Sequence, residues 1–131
     1  MKPIVAVGTR KKSVARATIK EGKGIVRINK RLIENVTPQM AKLKIEEPLI
    51  LAGDISKKYD ININVHGGGI ISQADAARLA VAKALVAANS KLKHEFLSYD
   101  RTLLIADVRQ RESRKPNTHG NARGKTQKSY R

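Results

Sequence analysis

The 131-residue chain contains no cysteine and no tryptophan, and its only aromatic residues are Tyr59, Phe96, Tyr99 and Tyr130. Without cysteine there are no disulfides and no thiolate chemistry, which suits a cytosolic protein. With so few rings the chain cannot build a platform on which the bases of a single strand stack. Long apolar runs are missing too: the longest is five residues, Ala84 to Ala88, against the roughly 20 that a membrane span requires. The N-terminus has no signal-peptide pattern, and no membrane is expected among the partners. Acidic residues are scarce, 11 against 27 lysines and arginines, for a formal net charge of +16. A charge of that size favours polyanions and opposes obligate self-association, so nucleic acid is the leading partner. Its contacts should fall on phosphate and sugar, made by Lys, Arg and backbone amides.

The most uneven feature is the C-terminus. Residues Arg109 to Arg131 contain no Val, Ile, Leu, Met, Phe or Trp, and carry eight basic side chains against the single acid Glu112. Such a segment cannot offset its own ordering entropy and should take a fixed shape only against a polyanion. The alternative is an inert terminus. Pro116, Gly120 and Gly124 punctuate the charges, and the 23 residues could reach at most roughly 75–80 Å. The expected organisation is therefore a globular domain, residues 1–108, and an extended basic tail, residues 109–131.

In the body, Ile4 to Val7 is a short apolar run, and the alternation over Ser13 to Lys20 predicts a strand with Ala15, Ala17 and Ile19 on its covered face. Glu21 to Gly24 forms a turn, after which Ile25 to Ile28 is expected to pair back as a hairpin. A short helix is expected over Arg31 to Val36. Thr37 reads as an N-cap with Pro38 at the first helical position, opening a helix to about Glu46. Pro48 then starts a second piece that Gly53 stops. Tyr59 to His66 is the clearest strand, with Ile61, Ile63 and Val65 on one side. Ser72-Gln73-Ala74-Asp75 fits a capping pattern for a buried helix to about Asn89. Leu103 to Val108 is a last ordered stretch. Together these elements predict an α+β sandwich, a small mixed sheet with helices on one face.

No catalytic constellation is present. His66, His94 and His119 stand at no metal-ligand spacing, and neither a metal nor another cofactor is expected. His66 and Asp60 lie six residues apart on one strand face, about 20 Å in an extended chain, too far for an acid–base pair. Two features suit phosphate. One is the basic loop with Arg10, Lys11, Lys12 and Arg16, which has no acid before Glu21 to neutralise it. The other is the triple glycine Gly67-Gly68-Gly69 ahead of a helix, which reads either as a tight turn needing small residues or as a backbone contact with phosphate. It lacks the Lys-Ser/Thr of a nucleotide-hydrolysing loop.

Several segments resemble the universal protein nine family of the small ribosomal subunit, in its archaeal and eukaryotic branch. They are Gly8-Thr9-Arg10-Lys11-Lys12-Ser13-Val14-Ala15-Arg16-Ala17, Pro48-Leu49, Val65 through Ala76, and the ending Gln127-Lys128-Ser129-Tyr130-Arg131, with Asp107-Val108-Arg109 leading into the tail. The resemblance covers nearly the whole chain. It implies a left-handed βαβ crossover in the fold and a cytoplasmic, non-enzymatic protein within the ribosome. The head of the molecule would bind ribosomal RNA, beside other proteins of the subunit head, through Arg10, Lys11, Lys12, Arg16 and Gly67 to Gly69. Arg109, Arg111, Arg114, Lys115, Arg123 and Lys125 would follow that RNA along the tail. The tip, Lys128, Ser129, Tyr130 and Arg131, would touch transfer RNA at the peptidyl site. The competing reading is a DNA-compacting protein without sequence preference, which accounts for the charge but not for the particular tail ending.

Overall fold

The computed structural model describes residues 2–35, 38–110, 113, 115 and 116. Ile4–Arg10 (β1) and Ser13–Glu21 (β2) form an antiparallel hairpin closed by Lys11 and Lys12. Lys11 adopts φ 53°, the left-handed region that costs a residue with a Cβ about 1–2 kcal/mol. Val26–Ile28 (β3), Arg31–Leu32 (β4) and Tyr59–His66 (β5) complete a five-stranded sheet of order β1-β2-β5-β3-β4. Alternation puts Ala15, Ala17, Ile19, Ile61 and Ile63 on the covered face, all at most 1% exposed. The architecture is the expected α+β arrangement.

The strand after the β2 turn does not pair back on β2. β5 lies between them, antiparallel to β2 and parallel to β3. Asp60 explains the detour. Its Oδ1 accepts the backbone amides of Lys23, Gly24 and Ile25 at 2.9, 3.2 and 3.0 Å, tying the turn to the start of β5 so that the chain emerges on the far side of that strand. The amides of Ile25 and then Lys23 hold the Asp60 carboxyl below its usual pKa, with Gly24 and the charge of Lys20 adding to them. A carboxyl depressed in the fold contributes stability that is complete above its unfolded value of about 4 and lost as pH falls through the folded value. Asp60→Asn is therefore expected to lower the thermal midpoint at pH 7. Its deficit against the parent should shrink as pH falls below about 4; a deficit independent of pH down to 2 would contradict this account.

The region from Arg31 divides into β4 and a 3-10 turn at Ile33–Asn35 rather than a helix; its last expected residue, Val36, and the expected cap Thr37 lie outside the described residues. Pro38 precedes the first helix as its extended N-cap instead of occupying the first helical position. That helix, Gln39–Ala52 (α1), runs straight through Pro48 and stops at Gly53. Pro48 forfeits one backbone hydrogen bond to residue 44, but it is fully buried, and its burial offsets the loss. The chain then makes a 3-10 turn, Gly53–Lys58, into β5.

The second helix, Ile70–Ala88 (α2), begins two residues before the expected cap. Gly69 is its extended N-cap, with no side-chain hydrogen bond, so Ser72 lies inside the helix and does not cap it. α2 packs on β1 and β2 on one side and α1 on the other, which explains its nine buried residues, six of them alanine. A third helix, Leu92–Tyr99 (α3), was not evident from the sequence; only Leu92 and Phe96 anchor it. Asp100 caps the 3-10 turn Arg101–Leu103 that follows, accepting the Thr102 amide at 2.9 Å. Leu103 is buried, and the expected ordered stretch beyond it has no regular structure.

Candidate nucleic-acid interface

Three of the segments singled out in the sequence meet at one corner of the fold: the β1–β2 turn, the glycine turn after β5, and the root of the tail. The glycine turn is packed on the hairpin. Gly67 and Gly68 have φ 79° and 62°, and a Cβ on either would run into the Lys12 carbonyl oxygen or the Ser13 hydroxyl. Buried Ser13 donates from Oγ to the Gly67 carbonyl at 2.9 Å, and Gln73 donates to the same oxygen from its side chain at 3.0 Å. Tight turn geometry thus accounts for two of the three glycines. Gly69 has neither a positive φ nor a neighbour within reach of a Cβ, so its backbone stands open beside the start of α2.

The basic residues divide into two groups. Arg10, at the end of β1, is employed internally. Its guanidinium lies 3.9 Å from Asp75 on α2 and 3.6 Å from Asp107, and Nη1 donates to the Arg109 carbonyl at 3.4 Å. Arg109 grips Asp107 from Nε and Nη2, the shorter contact 2.6 Å, and its amide donates to Oδ1 at 2.9 Å. Arg109, with Arg10 adding to it, holds the Asp107 carboxyl well below the usual carboxylate range, and Asp107 in turn raises the Arg109 pKa. These pairs fasten the tail root to the body. Arg78 does the same for the segment before it, meeting Glu47 at 2.7 Å and Asp100 at 3.2 Å while only 14% exposed. Asp75, Arg78, Asp100 and Asp107 were not recognised as partners from the sequence, because only the packing of α2 against β1 and the final segment brings them together.

The second group is exposed. Lys11 and Lys12 at the hairpin tip and Arg16 on the outward face of β2 make no ion pair among the described residues. Lys115 is exposed as well. Arg111, Arg114, Arg123, Lys125 and the tip residues Lys128, Ser129, Tyr130 and Arg131 lie outside the described residues. The acids, by contrast, concentrate on the helical side and in the tail root, where most of them neutralise a neighbouring cation. Cations without an ion pair among the described residues stand at the hairpin tip and across the uncovered sheet, and also at Lys91, Lys93 and Arg101 around α3. No group of His, Cys, Asp or Glu suited to a metal ion occurs among the described residues, and no helix there is long and apolar enough to cross a membrane.

A small mixed sheet with helices on one face and exposed cations on the other defines a basic α+β protein. Comparison with known proteins gives the family. Residues 8–131 match the family described as ribosomal protein S9/S16. The chain is 50% identical over its full length to the whole of small ribosomal subunit protein uS9 from Methanococcus maripaludis strain C7, and 48% identical, again over both full lengths, to that from Methanococcus vannielii. The chain belongs to the ribosomal protein S9/S16 family. Membership places it in the ribosome, in the cytoplasm.

Proposed function

We propose that this ribosomal protein is a structural, non-enzymatic constituent of the small subunit that binds ribosomal RNA with its body and reaches bound transfer RNA with its tail. The observation that carries the reading is the charge at the hairpin tip: Arg10 is paired internally with Asp75 and Asp107, while Lys11, Lys12 and Arg16 beside it stand exposed with no ion pair among the described residues. Arg10 acts as the fastening that aims the tail, and its outer edge remains available to phosphate. The open backbone at Gly69 offers a further phosphate contact. In this reading residues 1–108 are the body. The tail, residues 109–131, follows RNA through Arg109, Arg111, Arg114, Lys115, Arg123 and Lys125, and Lys128 to Arg131 meet transfer RNA at the peptidyl site. Proteins of the subunit head are its neighbours.

Sedimentation of the tagged protein from lysate at moderate salt tests the body: it should migrate with small subunits, and its absence from them would refute the reading. Removal of Ser129 to Arg131 tests the tip. Subunits should still assemble, but transfer RNA should be retained about tenfold less well, the size of one charge-assisted contact of about 1.5 kcal/mol. Unchanged retention would remove the tip from the proposal.

A further inference from the structure

The register of the sheet places side chains of three kinds in parallel rows on its uncovered face. Asn62 and Asn64 stand outward on β5. Arg16 on β2 lies directly opposite Asn64, and Arg27 on β3 lies opposite Asn62. Thr18 completes the row of β2. The four arginine and asparagine side chains are exposed, and neither arginine makes an ion pair among the described residues. An arginine therefore stands on each side of the row of amides. At a strand spacing of about 4.8 Å the strands that carry the arginines are about 10 Å apart, and the two asparagines are about 7 Å apart along β5.

We infer that this face receives the shallow minor groove of a double-helical RNA segment. The inference rests on the RNA-binding reading above and names the form of RNA bound there. An A-form helix presents a wide, shallow groove bordered by two phosphate strands and floored by 2′-hydroxyls and base edges. The outer arginines face the two phosphate strands. A side-chain amide both donates and accepts, as a 2′-hydroxyl does, so the central asparagines match the floor. A right-handed sheet twist lets a flat array follow a helical groove. A splayed single strand is a poor fit, because this face offers no platform of several rings: among the described residues Phe96 is buried, Tyr59 stands in the inward-facing register of β5, Tyr99 lies on α3, and only His66, at the end of β5, turns a ring to this side. The only outward carboxylate on the strands is Asp60, whose Oδ1 is already occupied by three backbone amides. The competing occupant is a protein neighbour, for which the exposed Val5 and Val7 of the edge strand provide an apolar shoulder.

The test uses the full chain with an RNA duplex of roughly 20 base pairs and a DNA duplex of the same sequence, at a fixed salt of about 150 mM. The parent should prefer RNA about tenfold, and N62A/N64A should bring the two affinities within about twofold. R16Q/R27Q should weaken both and reduce the slope of log affinity against log salt by about two. If N62A/N64A fails to fold, N62V/N64V, which suits a strand and carries no polar group, reports on the same amides. An RNA preference that survives loss of both asparagines overturns the inference, as does undiminished RNA affinity in both double variants, the result a protein neighbour would give. Binding of the parent to isolated small-subunit RNA separates the two levels: its absence refutes the RNA-binding reading, while its presence with unaffected variants refutes only this face.

Discussion

Gly8→Ala is expected to destabilise the body by about 3 kcal/mol or more, a large share of the 5–15 kcal/mol that holds a domain folded. Gly8 is buried near the end of β1, against the backbone of α2. A Cβ there would strike the Ala76 carbonyl oxygen, come within 2.6 Å of the Ala80 amide nitrogen, and press on the Leu79 Cβ at 3.1 Å. Two of these three atoms are helix backbone, which no rotamer change can move aside. Relief requires α2 to lift from the sheet, and Ala15, Ala77 and Ala80 pack in the same layer. The consequence extends to the neighbouring residues, because Arg10 reaches Asp75 only while β1 and α2 keep this separation. Urea unfolding should show the loss, with a fall in thermal midpoint of roughly 12–20 °C. A variant within 1 kcal/mol of the parent would mean that the helix can shift at little cost.

What the sequence disclosed follows from how local each determinant is. The alternation of β2 and β5 is local, and so is the aliphatic circumference of α2; these elements stand within two residues of where the pattern put them, β5 at its expected bounds Tyr59–His66. The partner of β3 is not local. A turn after a strand suggests a hairpin, and only the grip of Asp60 on three amides 35 to 37 residues away reveals that β5 intervenes. The break expected at Pro48 weighed a lost hydrogen bond without the burial that offsets it. The candidate site divides in the same manner. Clustering of Lys11, Lys12 and Arg16 is visible in the chain, but nothing local distinguishes them from Arg10, which tertiary packing commits to Asp75 and Asp107. The row of Asn62 and Asn64 between Arg16 and Arg27 was equally hidden, since the pairing of β3 with β5 creates it.

Phe96→Ala should cost about 3–4 kcal/mol, and its effect should be felt first at the tail root. Phe96 is the only phenylalanine and is fully buried, while α3 has just one other buried anchor, Leu92. Everything that fixes the chain after α3 depends on where that helix ends. The Asp100 amide closes onto the Phe96 carbonyl at 2.9 Å, the Asp100 carboxylate caps the following turn and meets Arg78, and Leu103 enters the core two residues after Arg101. Asp107, four residues further on, then meets Arg10. The strands and α2 have their own core and need not open with α3. Trypsin cleavage after exposed Arg101 should therefore accelerate by a larger factor than global unfolding does. Phe96→Leu, which keeps most of the buried volume, should restore most of the protection. Equal acceleration of the two processes would show that α3 and the sheet open together, and that the direction of the tail is set by the whole core rather than by its last helix.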